Sequence, residues 1–451
     1  MISAEDNTLL TSTGPGSAMG RVLRNYWQPL LLCAELPDER PVKDARIMGE
    51  DLAVFRDEAG RYGALARRCA HRSGDLCYGR LEEGGLRCPF HGWLYDVDGR
   101  CLEQPAEMVG SRFHEKVRQP AYPCIERNGI IYVYMGVGEP PLLPAFDWHL
   151  APESHVFVFK GYQRANWLQA TEGEIDPSHL SYLHRYLVDE IDPDQSYGLD
   201  QLLGTADDTD LTLTEILRNS PNPRLEIEET DFGVRIFALR EAGEKTHVRV
   251  TNYVFPNAAL VALGEWGVVQ QHVPIDDGSN WRFDIYYSFG APIDKTTLMR
   301  EKLNTYSLPD YMPKRNMSNR YQFSAEEQKN STYAGVGYDF NIHDTMIVEG
   351  AGPIQDRTTE HLGNGDKAII AARQMLLAAA RADSPDRLPI TTRDSARNRF
   401  DHLATVDTVT SPDEWRTGWV PRHMAARATS TWAAELDDGK LKEMAGAAAK
   451  L

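Results

Sequence analysis

Between about residues 45 and 136 the chain alternates short apolar runs with glycine and polar turn residues. The runs are DLAVFRD, YGALARR, WLYDVDGRCL and GIIYVYMG. Short runs at this spacing, separated by turn residues, are typical of antiparallel β-strands. The pattern therefore predicts a small β module in this part of the chain.

The pattern differs on both sides of this module. Before it, GSAMGRVLRNYWQPLLL predicts a helix, and after it the proline-rich stretch GEPPLLPAFDWHLAP predicts a linker. Beyond the linker, GDKAIIAARQMLLAAARA has apolar residues at helical spacing and predicts a helix. Three further runs predict strands: RLEIEETDFGVRIFALRE, THVRVTNYVFP and WRFDIYYSFG.

We therefore expect an α+β protein with three parts. Residues 1–44 form an N-terminal helical segment that packs on the third part. Residues 45–140 form the small antiparallel β domain. Residues 141–451 form a larger domain of strands and helices.

Composition and charge exclude some classes of partner. The 451 residues carry a net charge of −18, which disfavours nucleic acid or an anionic membrane as a partner. No apolar run reaches the roughly 18–20 residues of a membrane span. The first residues, MISAEDNTLLTS, lack the basic and apolar regions of a signal peptide, so we expect a cytoplasmic protein.

A first metal motif lies in CAHRSGDLCYGRLEEGGLRCPFHGW. It pairs Cys69 with His71 and, after a gap of sixteen residues, Cys88 with His91. Two thiolates and two imidazoles could hold a structural zinc, but zinc fingers usually group their cysteines and then their histidines. Here each half carries one Cys and one His, which fits a Rieske [2Fe–2S] cluster with thiolates on one iron and imidazoles on the other.

A second metal motif lies in NWLQATEGEIDPSHLSYLH. His179 and His184, with a later carboxylate, would form the facial triad of a mononuclear non-haem iron(II) centre. Five residues correspond to about 140° on an ideal helix, so both rings cannot face one ion from a regular helix. We expect a π-bulge or a broken turn near Pro177. The alternative is two surface histidines on an amphipathic helix.

The third ligand comes from GVGYDFNIHDTMIVEGAGPIQDRTTEHLG. We prefer Asp344, which would begin the helix DTMIVEGAG, and we expect its neighbour His343 to be an ordinary buried or surface imidazole. The other acids in this stretch are Asp339, Glu349 and Asp356.

Three acids stand shortly before His179. Asp176 would either cap a helix or accept a hydrogen bond from an imidazole. Glu172 and Glu174 have weaker claims to a role, and we expect one or both to be solvated.

CAH…CPFHGW followed by NWLQATEGEIDPSHLSYLH resembles the oxygenase component of Rieske non-haem iron aromatic-ring hydroxylases. RNYWQPLLL, TDFGVRIFALR, VPIDD and GPIQDRTTEHLG resemble the phthalate dioxygenase type. The likeness extends from about Asn25 to Ala380.

The resemblance implies a Rieske domain at 45–140 and a helix-grip catalytic domain, with an antiparallel sheet, at 141–451. It also implies a homotrimer or stacked trimers. Electrons would come from NAD(P)H through a separate flavin and iron–sulfur reductase. It assigns the cluster to Cys69, His71, Cys88 and His91, and the catalytic iron to His179, His184 and Asp344. Asp176 matches the residue between the cluster of one subunit and the iron of its neighbour.

We expect a terminal oxygenase that uses dioxygen to hydroxylate a small aromatic substrate, by resemblance an aromatic carboxylate. Arg249, on a predicted strand, could bind a carboxylate or form an ion pair, and Ser178 is a second pocket candidate. The aliphatic stretch from Asn257 to Gln271 favours a less polar substrate. Two alternatives remain: a monooxygenase for O- or N-dealkylation or aliphatic hydroxylation, and a non-enzymatic Rieske electron-transfer protein.

Overall fold

Helices and antiparallel sheets alternate along the chain in the computed structural model, which describes residues 2–188, 212–382 and 388–436. This confirms the α+β class. Within the described helices, none combines the length and apolar character needed to cross a membrane.

The N-terminal segment contains two short helices, α1 (Ala4–Thr11) and α2 (Ala18–Arg24). The side chains of Ser3 and Ser17 cap them. The expectation of one helix over GSAMGRVLRNYWQPLLL is wrong in its second half, because QPLLL is the fully buried strand β1 (Gln28–Leu32). Periodicity alone does not separate a short, continuous apolar strand from a buried helix.

Ten short strands follow β1 in the first third of the chain. Their bounds are β2 Val42–Ile47, β3 Glu50–Arg56, β4 Tyr62–Ala66, β5 Arg80–Glu82, β6 Gly85–Arg87, β7 Leu94–Tyr95, β8 Cys101–Glu103, β9 Ala121–Tyr122, β10 Cys124–Arg127 and β11 Ile130–Val133. They form three antiparallel sheets, in the orders β2-β3-β4-β9, β5-β6-β7-β8 and β1-β11-β10. A separate small core, which includes Cys69 and Cys88, lies within this β region.

The remaining strands build one large antiparallel sheet and a two-stranded hairpin. Their bounds are β12 Val156–Gln163, β13 Arg224–Thr230, β14 Gly233–Ala242, β15 Lys245–Val254, β16 Ala258–Leu263, β17 Trp266–Asp276, β18 Ser279–Ser288, β19 Tyr306–Ser307, β20 Met312–Pro313 and β21 Val406–Thr410. The large sheet has the order β12-β18-β17-β16-β15-β14-β13, and β21 also pairs with β15.

The described part of the chain contains eight further helices. They are α3 Asp147–Leu150, α4 Trp167–Glu174, α5 Leu213–Asn219, α6 Lys295–Thr305, α7 Ala325–Asn330, α8 Phe340–Gly350, α9 Lys367–Arg381 and α10 Val420–Thr429. Helix α4 packs on β17 and beside α8, while α1 and α2 pack on α9. The large hydrophobic core joins residues of this sheet and of the helices with residues of β1 and β11. The pairing of α4 with α8 brings the second histidine motif to the late acidic segment.

Candidate metal centres

Two loops bring the four residues of the first motif together. The backbone N–H of Cys69 donates to Gly74 O at 2.9 Å, and that of Cys88 donates to Trp93 O at 2.8 Å, so each loop closes on itself. Both cysteines are buried. A Cβ atom on Gly74 would lie 2.9 Å from the Cys88 sulfur, so this close approach requires glycine.

The two sulfurs share a polar environment inside the small core. A hydrogen bond with the Cys88 thiol lowers the pKa of Cys69 to about 5, although burial opposes this shift. The Tyr95 hydroxyl lies 3.2 Å from the Cys69 sulfur. The thiolate form of cysteine is the form that binds metal.

The two imidazoles of this motif stand side by side. The ring centroids of His71 and His91 are 4.6 Å apart, and His71 stacks on Trp93 at 4.3 Å. The Nδ1 atom of His71 is buried without a hydrogen-bond partner among the described residues. A buried ring nitrogen without a partner, in the same pair of loops as the two cysteines, fits a ligand of a Rieske cluster.

The second motif spans the end of a helix. Helix α4 ends at Glu174, before Pro177, and a 3₁₀ turn begins at His179. The break that we expected near Pro177 is therefore present as a broken turn. Arg240 of β14 fixes this turn by donating to the Pro177 carbonyl at 2.9 Å. The broken turn lets His179 and His184 face the same point.

His179, His184 and Asp344 converge on one point, and one ligand atom from each lies within 4.8 Å of the others. The two Nε2 atoms are 3.0 Å apart, and Asp344 Oδ1 lies 3.1 Å from that of His184 and 3.7 Å from that of His179. Burial lowers the pKa of His184 to about 4 and raises the pKa of Asp344. Two imidazole nitrogens and a carboxylate oxygen at these distances fit a divalent iron of the facial-triad type.

The other acids of the late segment have structural roles. Asp339 caps α8 by accepting hydrogen bonds from the N–H groups of Asn341 and Ile342. Asp344 therefore lies in the second turn of this helix, and the expectation that it begins the helix is wrong. Glu349 accepts from the Arg164 N–H, and Asp356 is an exposed cap for Thr358. His343 is buried, and its Nδ1 atom contacts His184.

The expectation that Glu172 and Glu174 are solvated is wrong for both. Glu172 is buried and forms ion pairs with Arg357 at 2.9 Å and Arg373 at 2.6 Å. Glu174 is largely buried and lines the cavity beside the three converging residues, 3.7 Å from His272 Nε2. Their partners are remote in sequence, so no local pattern reveals them.

Asp176 contacts the turn with its carboxylate and His179 with its backbone carbonyl. Its Oδ1 accepts from the Ser178 N–H at 2.7 Å, as a turn cap does. Its backbone carbonyl is the hydrogen-bond partner of His179 Nδ1, while its Oδ2 lies 3.8 Å from that nitrogen. The carbonyl therefore orients the imidazole, and the half-buried carboxylate remains available for another contact.

A cavity adjoins His179, His184 and Asp344. Its apolar wall comes from Leu180, Leu213, Leu217, Val261, Leu263, Val268 and Phe340. Several of these residues belong to the aliphatic stretch that the sequence singled out. Of the two pocket candidates, the described lining includes Arg249 but not Ser178.

Arg249 already has partners on both sides of its guanidinium. Nη1 forms an ion pair with Asp407 of β21, and Nη2 donates to Ala262 O at 2.8 Å. Asp407 also contacts His247 at 3.1 Å. A ligand that binds Arg249 would therefore compete with, or share, the Asp407 carboxylate.

Comparison with known proteins identifies the family. Residues 26–119 match the Rieske [2Fe-2S] domain, and residues 133–435 match a domain described as LigXa C-terminal domain like. The chain is 35% identical over 401 residues to the phthalate 4,5-dioxygenase oxygenase subunit of Pseudomonas putida, covering 85% of this chain and 87% of that one. This chain belongs to the Rieske non-haem iron oxygenases.

A second relative of this chain is named for alcohols rather than for an aromatic acid. The tert-butanol monooxygenase / tert-amyl alcohol desaturase oxygenase subunit of Aquincola tertiaricarbonis is 31% identical over 394 residues, covering 85% of this chain and 78% of that one. A solved complex of oxygenase and ferredoxin in carbazole 1,9a-dioxygenase shares the fold, with a TM-score of 0.53 at 19% identity, covering 86% and 96% of the two chains.

Membership of this family determines the reaction class and the cofactors. The Rieske oxygenase is the oxygenase component of a multicomponent enzyme and uses dioxygen. It works with a Rieske [2Fe–2S] cluster, a mononuclear iron and electrons from a reductase. When bound, the cluster supplies single electrons and the iron activates dioxygen.

Proposed function

We propose that Cys69, His71, Cys88 and His91 hold the cluster, and that His179, His184 and Asp344 hold the catalytic iron. The convergence of three ligand atoms within 4.8 Å, at the edge of an apolar cavity, is the observation that carries this proposal. Two imidazole lone pairs and a buried carboxylate repel one another unless a cation or a proton lies between them.

We propose that the enzyme oxygenates a small, largely apolar aromatic molecule in this cavity. The apolar wall supports an organic ring as the occupant, because such surfaces bind by excluding water. An aromatic carboxylate is the first candidate, since the phthalate-type relative shares most of the chain. Arg249 would then be the contact for the carboxylate.

An uncharged substrate, attacked by monooxygenation, dealkylation or hydroxylation of an alkyl group, is the second candidate. One observation favours it: Asp407 already compensates the charge of Arg249. Glu174 adds an acidic group to the same cavity, which disfavours an anion nearby. The relative named for tert-butanol is consistent with a substrate of this kind.

Substrate pairs that differ only in charge separate the two candidates. We would compare aromatic carboxylates with their uncharged primary amides, using wild type and Arg249→Gln, a reductase and isotopically labelled dioxygen. If a carboxylate is the substrate, Arg249→Gln should raise its KM at least about tenfold and leave that of the amide nearly unchanged. An equal effect on both would contradict a carboxylate contact at Arg249.

Labelled dioxygen also distinguishes the chemical outcome in the same experiment. Two labelled atoms in the product indicate dihydroxylation, and one indicates hydroxylation. Dealkylation is recognised by the released aldehyde, because the new oxygen leaves with the alkyl carbon and the dealkylated product carries no label. Substrate-dependent dioxygen uptake without any oxygenated product from either substrate series would contradict the proposed substrate class.

We further propose a homotrimer, or stacked trimers, in which the cluster of one subunit faces Asp176 of the next. A cleft beside the iron site includes Asp176, His179 and the exposed Ile347. Beside the cluster loops, Tyr78 and Phe90 are 71% and 56% exposed. Exposed aromatic residues of this kind are frequent at protein interfaces.

The same proposal includes the electron source and the division of the chain. NAD(P)H would supply electrons through a flavin and iron–sulfur reductase, in the cytoplasm where this reductant is available. The chain would divide at 1–44, 45–140 and 141–451, with the first part packing on the third. The contact of α1 and α2 with α9 supports this arrangement.

A further inference from the structure

A second buried histidine lies directly behind His184. The Nδ1 atoms of His184 and His343 are 3.2 Å apart, and their rings stack with centroids 5.4 Å apart at 20°. His343 is fully buried. Since two lone pairs repel at this distance, one of the two Nδ1 atoms donates a proton and the other accepts it.

The contact made by the other nitrogen of His343 determines which of the two Nδ1 atoms is the donor. His343 Nε2 lies 2.8 Å from the carbonyl oxygen of Gly337. A carbonyl oxygen only accepts, so this Nε2 carries a proton. A neutral imidazole carries one proton, and therefore the Nδ1 atom of His343 accepts from His184 Nδ1–H.

This arrangement leaves the Nε2 atom of His184 unprotonated, with a lone pair available to bind a metal. That atom is the one that faces Asp344 Oδ1 at 3.1 Å and His179 Nε2 at 3.0 Å. His343 itself points both of its nitrogens away from this point, and it is not among the three residues that converge there. Its place in the structure is behind a ligand, rather than among the ligands.

The Gly337 carbonyl is itself held in place. The Gly337 N–H donates to Glu327 Oε2 at 2.9 Å, and Arg315 pairs with the same carboxylate at 3.2 Å. Gly337 has a φ of +91°, and a Cβ atom there would lie 3.1 Å from the Arg315 guanidinium carbon. The hydrogen-bonded chain thus runs from the half-buried Arg315–Glu327 ion pair through Gly337 and His343 to His184.

We propose that His343 is a positioning residue that fixes the tautomer and the ring orientation of His184, so that His184 binds iron through Nε2. His179 is oriented differently, because its Nδ1 bonds to the backbone carbonyl of Asp176. The two imidazoles would then have unequal supports: a side chain behind His184 and a main-chain atom behind His179. This inference rests on the proposed function, since it requires His184 to be an iron ligand.

Two substitutions of His343 by amide side chains test its Nδ1 acceptor separately from its Nε2 donor. The amide of asparagine reaches the position of Nδ1, so His343→Asn can keep an acceptor for His184. The amide of glutamine reaches the position of Nε2, so His343→Gln can keep the contact with Gly337 but leaves His184 without an acceptor. His343→Phe keeps a ring and removes both nitrogens.

The measurement is the affinity of each variant for ferrous iron, after removal of mononuclear iron with the cluster retained. We expect His343→Gln and His343→Phe to bind iron about 10–100-fold more weakly than wild type, and His343→Asn to remain closer to wild type. The electron paramagnetic resonance spectrum of the ferrous–nitrosyl adduct should change in the same order. Cluster absorbance and circular dichroism report whether each variant is folded.

Wild-type affinity and an unchanged nitrosyl spectrum in His343→Gln would overturn the inference, while the proposed iron site would stand. Equal weakening in all three variants would also overturn it, since it would indicate a packing role alone. If wild type binds no ferrous iron beyond its cluster, the proposed ligand set itself is contradicted. If His343→Gln does not accumulate, the comparison of His343→Phe with His343→Asn decides in the same way.

Discussion

Asp176 uses its backbone and its side chain for different purposes. The carbonyl holds the Nδ1–H of His179, whereas the carboxylate caps the turn at Ser178 and remains half-exposed. A substitution that changes only the carboxylate therefore leaves the main-chain support of the imidazole intact. The iron site and the proposed path for electrons can be tested separately at this one residue.

We expect Asp176→Asn to retain both metals and to lower kcat about 10–100-fold. The amide keeps an oxygen for the Ser178 N–H but loses the charge that would meet an imidazole of the neighbouring cluster. Metal content, and the rate at which the reduced cluster is reoxidised in a single turnover, check this expectation.

Asp356→Asn is the matched control for this substitution. Asp356 is exposed and accepts from the N–H two residues later, as Asp176 does, so its substitution changes the same kind of turn. It should leave turnover unchanged. A normal reoxidation rate in Asp176→Asn would refute the bridging role.

At the scale of elements, Glu172 connects three separate parts of the chain. It lies on α4, and its carboxylate binds Arg357 in the loop after α8 and Arg373 on α9. All three side chains are buried. This ion pair cluster fixes α4, the helix that precedes the turn with His179, against α9.

We expect Glu172→Gln to destabilise the protein by about 3 kcal/mol, because it leaves buried guanidinium groups without compensation. Urea unfolding, monitored by tryptophan fluorescence, measures the effect, and we expect a lower midpoint for the variant. The control is Asp51→Asn, which removes the exposed ion pair with Arg46 and should cost less than about 1 kcal/mol. Equal midpoints for the two variants would show that the Glu172 cluster contributes little.

The sequence predicted those features that depend on short spacing. The Cys-x-His and Cys-x-x-His pairs lie within single loops, and the broken turn follows from the conflict between Pro177, the five-residue spacing and a regular helix. Asp344 was preferred as the third ligand, and its side chain lies beside the two histidines in the structure. Its predicted position at the start of a helix was wrong, because Asp339 is an equally suitable cap five residues earlier.

Features that depend on distant partners were not predictable. Asp407 lies 158 residues from Arg249, and Arg373 lies 201 residues from Glu172. A charge whose partner lies on another element has the same local pattern as a solvated charge. The proposed role of His343 was unpredictable for the same reason, since it depends on His184, which lies on another element, as well as on the Gly337 carbonyl.

For the whole molecule, the net charge of −18 bears on the electron donor. We expect a reductase with a basic docking face, and a rate of electron delivery that falls as salt screens the attraction. Cluster reduction at about 20 and 200 mM salt measures this, since the screening length shortens from roughly 20 to 7 Å over this range. Reduction by a small uncharged reductant serves as the control, and an equal salt response for both donors would contradict electrostatic docking.

The arrangement of subunits can be tested with two inactive variants. Cys88→Ser removes a proposed cluster ligand and should leave the iron site intact, whereas His179→Ala removes a proposed iron ligand and should leave the cluster intact. If each cluster serves the iron of the next subunit around a cyclic trimer, a mixed trimer has one working pair among its three sites. If each cluster serves the iron of its own chain, no mixed trimer works.

Random assembly from equal amounts makes about three quarters of the trimers mixed, so the expected activity is about a quarter of wild type. Co-expression with two different tags, followed by purification through both, raises this to about one third because every trimer is then mixed. Trimers of either variant alone provide the background. Activity no higher than this background, in doubly purified trimers that contain both metals, would contradict electron transfer between subunits and would place the working cluster and iron in the same chain.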